Sequence, residues 1–127
     1  MGVIGVGGLF FRARYPDALA DSYRQHLNVG AGCVASGAGP ADDNSWMTTG
    51  GPVVFAPFPD DTDYFPANQA FMLNLRVHDL GLLIDRLRAA GIDVIAKDEW
   101  NDPNIGQFAR IHDPEGNAIE LWEPPAS

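Results

Sequence analysis

The sequence predicts an α+β fold, two βαβββ modules around a cupped mixed β-sheet, forming a single domain with modules at about 1–64 and 65–127. Three observations predict it: a weak internal repeat at an offset of 64 residues (Phe11 to Leu75), a cleanly alternating stretch at Phe71–Val77, and a strand, turn and strand at Phe108–Pro124. Each repeat copy begins with a strand and continues into a helix. Phe11-Arg12-Ala13-Arg14-Tyr15-Pro16 precedes Leu19, Tyr23 and Leu27 at helical spacing, and Leu75-Arg76-Val77-His78-Asp79-Leu80 precedes Leu83, Leu87 and Gly91. Pro16 suits a first helical turn, Asp79 is a candidate N-cap, and Gly91 stands where a helix of the second copy ends.

Short apolar runs separated by turn residues follow each helix. They are Val29–Ser36, Ser45–Thr49 and Val53–Phe58 in the first half, and Ile92–Lys97, Gln107–His112 and Ala118–Glu123 in the second. In Phe71–Val77 the apolar set Phe71, Leu73, Leu75 and Val77 belongs under the helices, which leaves Met72, Asn74 and Arg76 on an open concave face. The offset assigns Gly8, Phe10 and Arg12 to the equivalent face of the first module.

The closing hairpin is the most explicit element. In Asp113-Pro114-Glu115-Gly116-Asn117, Pro presets φ, Gly permits φ > 0, and Asp and Asn can bond to nearby backbone. Ala109 and Ile111 form one apolar face with Ile119 and Leu121, so Phe108, Arg110 and His112 share the other face with Ala118, Glu120 and Trp122. With a five-residue loop, Arg110 lies opposite Glu120 as a cross-strand charge pair.

Composition narrows the function classes. A chain of 127 residues that is 46% hydrophobic can bury a core without staples. Its one cysteine, Cys33, excludes an intrachain disulfide and a thiol-rich metal site, and a net charge of −9 argues against nucleic acid. No run of about 18 apolar residues exists to span a membrane. Val3–Phe11 lacks the basic leader of a signal peptide, so the chain is expected to be cytoplasmic.

The doubled βαβββ order, the Asp113–Asn117 turn and Ile119-Glu120-Leu121 resemble the vicinal oxygen chelate superfamily, which includes glyoxalase I, bleomycin-resistance proteins, fosfomycin-resistance enzymes and extradiol dioxygenases. The resemblance implies a homodimer. It also implies, in the metal-dependent members, a divalent ion held by His, Glu or Gln at positions that fall here on Gly8, Phe55 or Ala56, Met72 and Glu120. Only Glu120 is a good ligand for such an ion: Gly, Phe and Ala offer no side-chain donor, and a thioether suits Zn²⁺, Ni²⁺, Mn²⁺ or Fe²⁺ poorly. No complete metal site and no cofactor is therefore expected.

Glu120 then has two readings. It is either one half of an internal ion pair, with Arg110 nearest and Arg76 and Arg12 on the same wall, or the orienter or proton acceptor of an arginine that binds an anionic ligand. The aromatics have two readings as well. Trp46, Phe55, Phe58, Tyr64, Phe65, Phe71, Trp100, Phe108 and Trp122, several of them on loops with Asp60, Asp61, Asp63, Asp98, Glu99 and Asp102, could stack on a flat or cationic molecule, or could plug the seam between the modules or a dimer interface. The Gly- and Ala-rich loop Gly30–Asn44 is a candidate cover for it.

The leading expectation is metal-independent binding of a small organic molecule by Arg12, Trp46, Phe55, Met72, Asn74, Arg76, Trp100, Phe108, Arg110 and Trp122, as in the bleomycin-resistance branch. The alternative is an enzyme of the lactoylglutathione lyase or extradiol dioxygenase type that uses Glu120 as metal ligand or general base. His26 and His78 have no second ligand at metal-binding spacing.

Overall fold

In the computed structural model, which describes residues 2–3, 6–30 and 46–126, two helices pack on one face of a three-stranded sheet. The elements are α1 (Pro16–Leu27), β1 (Leu73–Arg76), α2 (Leu80–Ala89), a 3-10 turn (Asp98–Trp100), β2 (Gln107–His112) and β3 (Ala118–Glu123). The strand order is β1-β3-β2; β1 runs parallel to β3, and β2 is antiparallel to it. The sheet is thus mixed and open, as an α+β chain of this kind requires.

The hairpin register follows the sequence pattern. Ala109 pairs with Leu121, Ile111 with Ile119, and Arg110 with Glu120. Ala109, Ile111, Ile119 and Leu121 are buried with Leu75 beneath Leu19 and Tyr23 of α1 and Leu80 and Leu87 of α2. Both helices meet the sheet along the apolar stripe their spacing defines.

Helix starts are settled by residues far away in sequence. α1 has Pro16 at its first turn, and the backbone N–H groups of Arg14 and Tyr15 just before it both donate to the Glu115 carboxylate, each at 2.7 Å. At α2, Asp79 occupies the N-cap position but its side chain makes no capping bond. It sits in the left-handed region, and the Glu123 carboxylate accepts from the N–H groups of Asp79 and Leu80 instead. Negative charge at a helix N-terminus also complements the peptide dipoles. α2 closes with Gly91 at φ +84, Gly91 N–H donating to Arg88 and Ile92 N–H to Leu87, the paired bonds of a Schellman motif.

Inside the turn, Asp113 is a buried acceptor of four bonds: from the N–H groups of Glu115 and Asn117, the Asn117 amide and the Tyr23 hydroxyl at 2.8 Å. Burial, then the bond to Asp113, pushes the Tyr23 hydroxyl well above the ordinary tyrosine value. Gly106, just before β2, has φ +129, and a Cβ there would lie 2.2 Å from the Glu123 carbonyl oxygen.

The first half departs from expectation. Among the described residues, 6–13 and 46–58 form no strand, so the strands expected at Val3–Phe11, Ser45–Thr49 and Val53–Phe58 are not formed by the residues of those runs that the structure describes. Their apolar side chains are left exposed, Phe10 at 94% and Phe55 at 86%. An apolar run supplies side chains for a strand but not the neighbouring N–H and C=O groups that make one. Of Ile92–Lys97 only Ile95 pairs, in a single bridge to Arg110. Cys33, most of Val29–Ser36 and nearly all of Gly30–Asn44 lie outside the described residues.

Candidate functional site

The pairing of three strands brings polar side chains into two rows on the face opposite the helices. One row is Asn74, Glu120 and Arg110; the next is Arg76, Trp122 and Phe108. Six of the expected site residues therefore lie side by side. Glu120 is buried, and its carboxylate is held at both ends: Asn74 Nδ2 donates to Oε1 at 2.8 Å, and the Tyr64 hydroxyl donates to Oε2.

That arrangement corrects the expected ion pair. Arg110 is Glu120's partner in register, but no guanidinium nitrogen lies within 4.0 Å of a carboxylate oxygen; among the described residues the contacts at that distance are Arg24 with Asp21 and His78 with Asp79. The Arg110 guanidinium instead sits over the Tyr64 ring, Cζ 4.9 Å from its centroid, as a cation–π pair. Arg76 is not Glu120's partner either: it donates to the carbonyl oxygens of Thr49 and Pro52 and fastens that segment beside β1.

Tyr64 is one of the loop aromatics expected to line a cleft, but its bond to Glu120 was not legible. It stands in the irregular run before β1, where Tyr64 N–H donates to Thr62 Oγ1 at 3.1 Å, and its ring stacks on Phe58 at 5.6 Å. The only signal in the sequence is a hydroxyl-bearing ring in a proline-rich aromatic loop. Burial and the bond to Glu120 raise the Tyr64 hydroxyl above its ordinary value, an effect opposed by Arg110, so at neutral pH it remains a donor. Gln69 was missed as well: its amide donates to the Ala118 carbonyl and accepts from the Ala118 N–H, both at 3.0 Å, taking the place of a neighbouring strand.

Between this loop and β2 lies an open hollow of about 470 Å³, lined by Thr62, Asp63, Tyr64, Phe65, Arg110 and His112 among others. Its walls combine Tyr64, Phe65, Pro66 and Ala67 with Thr62, Arg110 and His112, and of the expected loop acids only Asp63 borders it. Phe108 and Trp122 stack at 6.4 Å nearby, and Trp122 Nε1 donates to the Ile105 carbonyl. Met72 is half-buried beside β1. Four expected site residues are not gathered here: Arg12, Trp46 and Phe55 are exposed, and Trp100 lies under the Lys97 ammonium at 5.3 Å.

The residues present do not fit a divalent ion. Gly8, Phe55 or Ala56 and Met72 bring Glu120 no carboxylate or imidazole, and no cluster of three His, Cys, Asp or Glu side chains suited to a metal exists among the described residues. No described helix is long and apolar enough to cross a membrane.

The chain shares its fold with a solved structure along nearly its whole length. It superposes on TnmS3, an antibiotic binding protein from Streptomyces sp. CB03234, over 98% of both chains, with a TM-score of 0.57 at 23% sequence identity. A glyoxalase/bleomycin resistance protein from Streptomyces sp. CB03234 is 36% identical over a shorter stretch, 39% of this chain and 41% of that chain, with a TM-score of 0.35. No family profile and no curated protein matches the sequence.

Proposed function

We propose that the chain binds a small organic molecule without the help of a metal, in the hollow between residues 62–67 and the polar face of the sheet. The observation that carries this reading is the setting of Glu120. At the one position where the resembling metalloenzymes and this chain agree, the carboxylate is buried and held by Asn74 and Tyr64, and Tyr64 in turn walls the hollow. The volume suits a drug-sized ligand. The antibiotic-binding neighbour of the same fold supports the same class of ligand.

The competing reading, a lyase or dioxygenase built on Glu120, needs companion ligands that Gly8, Phe55 or Ala56 and Met72 do not supply. We further propose that the active form is a homodimer. Phe10, Met47, Val53, Val54 and Phe55 expose a quantity of apolar surface that monomeric proteins seldom leave to water.

Protein purified without chelator is expected to carry no stoichiometric divalent metal by elemental analysis. The neutral flat aromatic 2-naphthamide is expected to raise Tm in step with RT ln(1 + [L]/Kd), and Tyr64→Ala to abolish that shift. A full equivalent of metal that disappears on Glu120→Gln would overturn the reading.

A further inference from the structure

The first proposal leaves one group in the hollow unexplained. Arg110 is a cation from the middle of β2, and its Nε is shut off from solvent without a hydrogen-bond partner. A buried donor left unmade costs free energy, more so on a charged group. The acid facing it in register, Glu120, does not supply the missing acceptor, because its oxygens are turned to Asn74 and Tyr64. Asp63 borders the same hollow without closing to 4.0 Å.

Meanwhile the guanidinium lies over the Tyr64 ring, and the Tyr64 ring packs on Phe58, which also meets Phe65 edge-on at 5.7 Å. A planar cation over an aromatic wall at the edge of an open hollow, with no carboxylate within 4.0 Å, matches an oxyanion carried by a flat ring. Its fork geometry favours carboxylate, and a phenolate or enolate oxygen would meet the same donors singly.

We infer that Arg110 is the anion-recognition point of this site, and that the ligand is a flat aromatic or conjugated molecule bearing an ionised oxygen. This rests on the hollow being the binding site proposed above. Tyr64 then has two tasks: its hydroxyl keeps the Glu120 carboxylate from drawing Arg110 away, and its ring face supports the cation. The chain's net charge of −9 works against anions in general, so selectivity comes from this local arrangement and not from long-range steering.

The test compares three probes by isothermal titration: 2-naphthoate, its neutral isostere 2-naphthamide, and 2,4-dinitrophenolate. Wild-type protein is expected to bind 2-naphthoate about 10-fold or more tightly than the amide, the range of a hydrogen bond to a charged group. Arg110→Gln is expected to bring that ratio close to one. Arg86→Gln, on the exposed face of α2, alters net charge equally and is expected to keep the preference. Weaker binding of the phenolate than of the carboxylate identifies two-point recognition; the reverse order identifies a single-oxygen ligand, and either supports an oxyanion site provided Arg110→Gln removes it. If amide and carboxylate bind wild type equally, or Arg110→Gln leaves the preference intact, the anion assignment falls and the hollow remains a binding site. If a folded wild-type protein binds none of the three, both readings fall.

Discussion

Replacing Tyr23 by Phe is expected to destabilise the chain through one hydrogen bond. The Tyr23 hydroxyl reaches from α1 to Oδ2 of Asp113, the buried carboxylate that organises the closing turn, and both groups are at 8% exposure. Removing the hydroxyl leaves Oδ2 with the Asn117 amide as its remaining donor, at 2.8 Å. A bond to a charged, buried acceptor is worth about 1.5–3 kcal/mol, so about 2 kcal/mol is expected. With an unfolding entropy of about 2.1 cal/mol/K per residue over 127 residues, that loss lowers Tm by roughly 7 °C.

The same residue sets a pH signature. Its folded-state value is raised by burial first and by Asp113 second. The stabilisation of the neutral hydroxyl is therefore complete below the ordinary tyrosine value of about 10 and is lost as pH rises beyond it, by about 1.4 kcal/mol per unit for one such group. Tyr64, shifted in the same direction but partly exposed, adds a shallower contribution. Urea unfolding of wild type and Tyr23→Phe from neutral pH to about pH 11 measures both effects. Equal midpoints at neutral pH, or an alkaline slope that survives the substitution unchanged, would refute the assignment of Tyr23 to Asp113.

Two other expectations follow from the fold. Gly106→Ala places a methyl group 2.2 Å from the Glu123 carbonyl oxygen in a backbone region unsuited to L side chains, and a loss of more than about 3 kcal/mol in chemical unfolding is expected; wild-type stability would remove the steric argument. Phe55→Asp is expected to lower the mass observed by light scattering from dimer to monomer while helical circular dichroism persists, and a monomeric wild type would end the homodimer proposal.

The hairpin was legible because its information is local. A five-residue turn and a period of two fix which side chains share a face, and Arg110 lies opposite Glu120 as that count requires. The chemistry of Glu120 was not legible for the opposite reason. Its donors are Asn74 and Tyr64, 46 and 56 residues away, and nothing near Tyr64 announces the contact. Asp79 illustrates the same limit: the position of the N-cap is correct, but the capping group comes from Glu123, 43 residues from Leu80. Val53, Val54 and Phe55 read as a strand by residue type, and among the described residues no neighbouring backbone completes one.

The two carboxylates that secure the helices carry a consequence for the order in which the molecule can be made. Glu115 meets its donors across 100 and 101 residues, and Glu123 meets α2 across 43 and 44. A growing chain therefore emerges with both helix starts unsecured and with the apolar stripes of α1 and α2 facing no sheet. Closure of such long loops is slow, and the intermediates that wait for it are prone to aggregate. A chain that lacks the last strand has no carboxylate for the start of α2 and no Ile119 or Leu121 to lie beneath the helices.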